Sequence, residues 1–192
     1  YGPNWMSVKI ETPYIDFGQI GVSIQGVAKN RYGHTVAGIM AQTFHWVEVM
    51  TICHATERED LLLDVMEALA GEGNVALEET EGHFGNRIAI MSTKISREKD
   101  TRRLFSALGP ELLSDLIGNL GERIDDDCTF YLRLDKQKAV QGLYAASRGG
   151  DVVSITGKIA SHPARKVKAV AAMENFLSDI IQGPCNPSPA PL

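Results

Sequence analysis

The first part of the chain with a clear hydrophobic pattern begins at residue 44. Residues 44–54 are rich in β-branched and aromatic side chains, which favours a strand. Apolar side chains then recur at helical spacing up to Gly71, and glycine commonly ends helices. Thr56 and Glu59 have the spacing of a capping box, so we expect them to cap the first helix.

The pattern continues to alternate between strand and helix periods as far as residue 181. Gly109 and Pro110 interrupt one helix, and proline is well tolerated in the first turn of the next. Asp135 is expected to cap a short helix. The further predicted elements are strands at 75–81 and 87–95, helices at 97–108 and from 110, a strand at 127–134, the short helix, a strand at 151–160 and a helix at 163–181.

This order, βα-ββα-βα-βα, predicts an α+β fold in which a mostly antiparallel sheet carries its helices on one face, a two-layer sandwich. The other face of the sheet is then open. Side chains alternate along a strand, so Tyr131 and Arg133 should point to the open face while their apolar neighbours face the helices. The same reasoning places Trp46 and Lys158 on the open face.

We expect a single domain at residues 41–182. Residues 1–40 are glycine-rich and weakly patterned, which predicts an N-terminal extension outside the native domain. An accessory segment that pairs with the sheet is the alternative. Residues 183–192 hold four of the eight prolines and are predicted to be a disordered tail.

Charge is distributed unevenly along the 192 residues, although the net charge is -5 and the pI is about 5.5. Residues 41–86 carry one basic and ten acidic side chains, whereas residues 87–182 carry fifteen basic and twelve acidic ones. A chain that segregates its acids can still present a basic face, so the acidic pI does not exclude RNA.

The three cysteines lie far apart and form no Cys-x-x-Cys pair, which favours a reducing compartment and excludes a zinc ribbon. The sequence has neither an apolar stretch of bilayer length nor the zones of a signal peptide. We therefore expect a cytoplasmic protein without a membrane partner.

Two sets of residues have the chemistry of an RNA surface. Aromatic and basic side chains on an open sheet combine base stacking with phosphate attraction, although Trp46 and Tyr131 alternatively cover the sheet or form a dimer contact. Basic side chains also cluster on two helices, where solvated helix surface is the alternative. The helix set comprises Arg97, Lys99, Arg102, Arg103, Arg165 and Lys166.

The loop at residues 82–86 is the most unusual one, since its flanking glycines expose His83 and Phe84 beside Arg87. Such a loop suits stacking on an unpaired base. A hairpin whose phenylalanine packs into the core is the alternative.

No pattern in the sequence favours catalysis. Asp125, Asp126 and Asp127 are interpreted as a solvated turn rather than a magnesium site, because consecutive strand-like residues point in opposite directions. Cys53 and His54 likewise face opposite sides of a strand. We expect a non-enzymatic protein with no catalytic residues, metal or cofactor.

Four motifs are similar to those of a known family. They read FHWVEV at 44–49, HATE at 54–57, EGHFGN at 81–86 and DDCTFYLRLDKQ at 126–137. The chain resembles, over residues 44–181, an archaeal family of RNA-binding proteins assigned as predicted exosome subunits. That family is similar in fold to the ribosomal protein that holds 5S rRNA.

The resemblance implies a non-catalytic protein that binds structured or single-stranded RNA, such as rRNA or processing intermediates, and acts in RNA processing or degradation with exosome subunits. Lys136 joins the candidate RNA contacts named above. The alternative function is a protein-interaction adaptor or homodimer that uses the open sheet face without direct RNA binding.

Overall fold

The computed structural model describes residues 42–183. The predictions for residues 1–40 and for the tail beyond Gly183 lie outside these residues. The strands are β1 (Phe44–His54), β2 (Ala76–Glu81), β3 (Arg87–Ile95), β4 (Thr129–Asp135) and β5 (Val152–Ile159). The helices are α1 (Glu59–Ala70), α2 (Glu98–Ala107), α3 (Pro110–Gly118), α4 (Leu120–Arg123), α5 (Lys136–Val140) and α6 (Lys166–Gln182).

The five strands form one sheet in the order β2-β3-β1-β5-β4, and every pair of neighbours is antiparallel. The inward side chains of β1, β4 and β5 are buried under the helices, whereas the alternate side chains are exposed or half-buried. The predicted α+β fold with helices on one face of an antiparallel sheet is confirmed.

Most element boundaries agree with the hydrophobic pattern. Gly71 ends α1 with a φ of 97°, a backbone conformation that glycine adopts readily. Pro110 occupies the first turn of α3. The Asp135 side chain accepts a hydrogen bond from the backbone N–H of Lys138 and so caps α5.

The predicted capping box at α1 is wrong. Arg58 is the N-cap residue, and no side chain caps the helix. The chain instead turns before α1, where a Glu57 carboxylate oxygen accepts a 2.9 Å hydrogen bond from the backbone N–H of His54. The start of α6 was also predicted too early, since the backbone of Arg165 is extended and the helix begins only at Lys166.

Four phenylalanines from both layers form the centre of the core. Phe44 of β1 stacks on Phe105 of α2 with ring centroids 5.6 Å apart, and Phe176 of α6 meets both rings edge-on. Phe130 of β4 completes the cluster. The rings therefore join the middle and edge of the sheet to two helices.

Gly157 of β5 makes room for this cluster. It faces the core between Ile155 and Ile159, and a Cβ built there would lie 2.7 Å from Phe44 Cε1. A side chain at this position would therefore displace the Phe44 ring.

Within residues 42–183, none of the helices is long and apolar enough to cross a lipid bilayer.

Candidate nucleic-acid interface

The face of the sheet away from the helices carries the predicted aromatic and basic side chains. Tyr131 and Arg133 of β4 are exposed there, and Lys158 of β5 and Trp46 of β1 are half-buried on the same side. Strand register sets their spacing, since Trp46 pairs with Lys158 and Lys158 with Thr129. The predicted orientations of β1, β4 and β5 are therefore confirmed.

Tyr131 is held in place by the turn that precedes β4. Its hydroxyl donates a 3.0 Å hydrogen bond to Oδ2 of Asp125, whose Oδ1 accepts one of 2.8 Å from the backbone N–H of Thr129. The hydrogen bond to Asp125 raises the pKa of the Tyr131 phenol, so the phenol stays protonated at neutral pH. The ring is 48% exposed and presents an oriented stacking surface.

Trp46 and Lys94 form a second aromatic and basic pair on this face. The ammonium of Lys94 lies 4.8 Å from the centre of the Trp46 ring, within the range of a cation–π contact. Lys94 also pairs across the strands with Glu48, which continues the row through Thr156 to Tyr131. Glu48 thus lies in the same row as Tyr131, two residues from Trp46 along β1.

The other half of the open face is apolar. Met50 and Ile52 of β1 are each 39% exposed, and β3 contributes the half-buried Ile88 and Ile90 beside them. The open face therefore has a polar and aromatic half, which includes β4 and the part of β1 and β3 around Trp46 and Lys94, and an apolar half around Met50, Ile52, Ile88 and Ile90.

The loop between β2 and β3 projects its two ring side chains into solvent. Phe84 is 91% exposed, and its ring meets that of His83 edge-on with centroids 5.0 Å apart. The loop is closed by a 2.8 Å hydrogen bond from Gly82 N to Asn86 O. The alternative in which Phe84 packs into the core does not hold in the structure.

Arg87 is engaged by carboxylates rather than free. Its guanidinium lies 2.6 Å from Glu59 and 2.5 Å from Glu79, and these hydrogen bonds raise its pKa. The contacts tie the β2–β3 hairpin to the start of α1. A phosphate would have to displace two carboxylates to reach Arg87, which disfavours the predicted RNA contact.

The basic residues of α2 lie in the helical layer, and two of them are paired. Arg102 Nε lies 3.2 Å from Glu98 Oε1, and its guanidinium stacks over the Phe176 ring at 5.1 Å. Arg97 pairs with Asp100 at 2.8 Å but remains mostly exposed. Arg102 therefore stabilises the contact between α2 and α6.

The remaining predicted helix residues are separated from the open sheet face. Lys99 and Arg103 belong to α2, while Arg165 and Lys166 lie at the start of α6. Arg103 packs its guanidinium against Gly71, where a Cβ would be 2.2 Å from Nη2. The structure thus divides the predicted residues between two layers instead of gathering them in one patch.

Lys136 is an interior residue, and this position contradicts the prediction that it contacts RNA. It is 2% exposed, and its ammonium donates to the carbonyl of Ile52 at 2.7 Å and to Glu57 at 3.0 Å. It also forms an ion pair with Asp151, whose pKa this contact lowers. The buried ammonium joins β1, the turn before α1 and the start of β5.

Two arginines that the sequence analysis did not select lie beside Arg133. Arg123 ends α4, and Arg148 follows the segment that runs alongside the outer edge of β4. Together with Tyr131 they line a depression of about 330 Å³, which adjoins a second one of about 300 Å³. No periodic signal in the sequence indicates them, because they lie outside the strands and reach β4 through contacts of a short helix and a loop.

The groups considered for catalysis do not form a reactive site. Cys53 is buried, and burial raises the pKa of its thiol, which disfavours the nucleophilic thiolate. Asp125 is used by Tyr131 and Thr129. Among residues 42–183, no group of three or more His, Cys, Asp or Glu side chains is placed to hold a metal ion.

Comparison with known proteins identifies the family of this chain. A family model described as RNA binding matches residues 46–159. A protein of Pyrococcus abyssi named as an RNA-binding protein is 33% identical over 143 residues, which cover 69% of this chain and 93% of that protein. An uncharacterized protein of Methanocaldococcus jannaschii is 31% identical over 119 residues, 56% of this chain and 78% of that protein.

The fold also matches a solved structure. A DUF54 protein from Methanothermobacter thermautotrophicus superposes with a TM-score of 0.62 at 25% identity, over 70% of this chain and 98% of its own. The family model spans more than half of the sequence and includes four of the five strands. The chain therefore belongs to the RNA-binding protein family whose model matches residues 46–159.

Proposed function

We propose that this protein binds RNA without catalysing a reaction, and that the polar and aromatic half of the open sheet face is its binding surface. One observation carries the proposal. Tyr131 is fixed by Asp125 and presented beside Arg133 on an uncovered sheet, in a chain that belongs to an RNA-binding family. Exposed rings stack on unpaired bases, and arginine supplies the phosphate contact.

The hairpin loop is proposed as a second contact. His83 and Phe84 are exposed at the tip of a short hairpin at the edge of the same sheet. Because the Phe84 ring is almost wholly exposed, it adds little to the stability of the fold. The same exposure leaves the ring available to stack on an RNA base.

The basic residues on the helices are proposed as a separate, weaker contact. Lys99, Arg103, Arg165 and Lys166 carry exposed or half-exposed charges, whereas the exposed Arg97 is already paired with Asp100 and would contribute less. Such charges add a salt-dependent and sequence-independent contribution to RNA affinity.

Filter binding at several salt concentrations tests the proposal. A fragment of structured rRNA and a single-stranded oligouridylate are compared, and we expect affinity to fall steeply as salt rises. The Tyr131→Ala variant should weaken binding of single-stranded RNA more than charge reversal at the exposed Lys99 and Arg165 does. Absence of binding at low salt would overturn the proposal.

The apolar half of the open face favours a second candidate function. Met50, Ile52, Ile88 and Ile90 form a partly exposed patch next to the polar half, and such patches commonly mark protein contacts. A second copy of this chain or a partner protein would then cover the sheet. Size-exclusion chromatography with light scattering, together with Trp46 fluorescence, distinguishes a dimer from a monomer that binds RNA.

Association with exosome subunits in RNA processing or degradation stays a prediction from the family resemblance. Purified exosome core and this protein, mixed at micromolar concentration, should co-elute if the prediction is correct. Separate elution with and without RNA would contradict it while leaving RNA binding intact.

A further inference from the structure

We propose that the pocket formed by Arg123, Arg133 and Arg148 at the edge of β4 binds one phosphate group of an RNA strand. The inference rests on the proposed RNA-binding function and assigns it a specific anchoring site. The lining residues are Glu122, Arg123, Tyr131, Arg133, Ser147 and Arg148.

The fold brings the three arginines together from separate elements. The backbone N–H of Ser147 donates a 2.8 Å hydrogen bond to the carbonyl of Arg133, and Asp135 N donates one of 2.9 Å to Ala145 O. These bonds lay the chain after α5 along the outer edge of β4 and place Arg148 beside Arg133. The bridge from Ile124 to Phe130 brings the end of α4, with Arg123, to the same edge.

The charges of this pocket are not neutralised by the protein. Whereas Arg87, Arg97 and Arg102 all pair with carboxylates, none of the three pocket arginines forms an ion pair within residues 42–183. Three guanidinium groups and the carboxylate of Glu122 give the lining a charge of about +2, and about +1 remains when the Asp125 carboxylate bonded to Tyr131 is counted, which still complements a phosphate.

Arg123 provides an independent sign of a missing partner. Its Nε is buried and has no acceptor among the described residues. Buried donors in native proteins are nearly always satisfied by protein, water or a bound ion, so an oxygen of a water or a ligand that reaches this atom would complete its hydrogen bonding. Phosphate oxygens are strong acceptors for the guanidinium fork.

The position of Tyr131 favours a nucleic acid as the source of the phosphate. Its ring lines the same depression as Arg133, so an anchored phosphate has a stacking surface within the reach of an adjacent base. The combination of a phosphate anchor and an oriented aromatic ring is the recognition chemistry of single-stranded RNA.

Fluorescence anisotropy with an oligouridylate of about 12 nucleotides tests the pocket, a length within the footprint of single-stranded binders. Arg133→Gln and Arg148→Gln are each expected to weaken binding about tenfold at low salt. If both side chains hold one phosphate, each single variant should make the slope of log affinity against log salt less steep by about 0.7. The double variant should then reduce the steepness by the same amount and not by more. Independent surface contacts would instead give the double variant about twice that loss, and this result would overturn the single-phosphate pocket.

Arg58→Gln is the matched control, because Arg58 is an exposed arginine already paired with Asp60 outside the pocket. It removes the same charge and should leave affinity and slope almost unchanged. Thermal unfolding of each variant verifies the fold, and Arg148 is exposed, so its replacement should not alter stability. Pocket variants that behave like Arg58→Gln while wild-type protein binds RNA would overturn the pocket and leave RNA binding standing.

Two forms of the oligouridylate identify the source of the phosphate. If the pocket takes a terminal phosphate, wild-type protein should prefer the 5′-phosphorylated strand to the 5′-hydroxyl strand, and Arg148→Gln should abolish the preference. If it takes an internal phosphodiester, Arg148→Gln should weaken both strands equally. Failure of wild-type protein to bind either strand would overturn the proposed function together with the pocket.

Discussion

The hydroxyl of Tyr131 is hydrogen-bonded to Oδ2 of Asp125 at 3.0 Å, across the turn that leads into β4. Asp125 also accepts the backbone N–H of Thr129, the first residue of the strand. One carboxylate therefore both starts β4 and orients the exposed ring. The three-aspartate run that begins at Asp125 acts here as a structural turn, as the sequence pattern indicates.

Replacing Tyr131 separates stacking from hydrogen bonding. Tyr131→Ala should weaken binding of single-stranded RNA about tenfold, because the stacking surface is lost. Tyr131→Phe should retain most of the affinity, since it keeps the ring and loses only the contact to Asp125. Anisotropy titrations measure both, and equal losses in the two variants would contradict a stacking role.

The titration of Tyr131 reports the contact directly. The phenol pKa is above its ordinary value because the neutral phenol donates to Asp125 and the phenolate would face a carboxylate. Asp125→Asn should lower this pKa toward its ordinary value while still offering an oxygen to Thr129 N. Spectrophotometric titration checks it, with Tyr131→Phe subtracted to isolate the signal.

Phe84→Ala should affect function and not stability. The ring is 91% exposed, so its removal should change the free energy of unfolding by less than about 0.5 kcal/mol. RNA affinity should fall if the ring stacks on a base. Urea unfolding and anisotropy are measured on the same sample, and a loss of stability without a loss of affinity would assign Phe84 a structural role.

Lys136→Met should destabilise the fold by about 2 kcal/mol at neutral pH, because Glu57 and the Ile52 carbonyl lose their partner. The pKa of Asp151 is lower in the folded than in the unfolded chain, where it is about 3.9. The pair with Asp151 thus contributes stability above the unfolded pKa and loses it as pH falls through the folded pKa.

The difference between wild type and Lys136→Met should therefore shrink below about pH 4. Urea unfolding across this range measures it. Lys138→Met is the control, because Lys138 is exposed on the same short helix. A difference that stays constant into acid would contradict a stabilising ion pair with Asp151.

Gly157→Ala should destabilise the fold by about 1–3 kcal/mol, since its Cβ would lie 2.7 Å from the ring of Phe44. Gly150→Ala is the matched control, because no atom lies within 4 Å of the Cβ position there. Chemical unfolding should show a lower midpoint for Gly157→Ala alone. Equal midpoints would mean that the Phe44 ring moves without cost.

Local patterns were sufficient to predict the layers of the fold. Alternation along β4 fixed which side chains face the helices, because a strand has a period of two. The positions of Gly71, Pro110 and Asp135 at helix ends were also predictable, since each acts through its own backbone or side chain. The failed capping box shows the limit, because Glu59, the predicted partner of Thr56, instead pairs with Arg87, which lies 28 residues away in the sequence.

The candidate site was only partly predictable. The exposed positions of Tyr131 and Arg133 follow from the strand period, and that of Phe84 follows from its glycine-flanked loop. Lys136 and Arg87 were misjudged because their carboxylate partners are distant in sequence, such as Glu57, which lies 79 residues from Lys136. Charge counts along a chain cannot tell a free cation from a paired one.

The sequence by itself determined the element order, the inward and outward rows of the strands and the family, because all three depend on short-range periodicity and contiguous motifs. Only the tertiary structure decided which arginines are free. Arg123, Arg133 and Arg148 meet because backbone hydrogen bonds join a loop and a short helix to the edge of β4. Such pairing depends on the packing of the whole chain, and no local pattern encodes it.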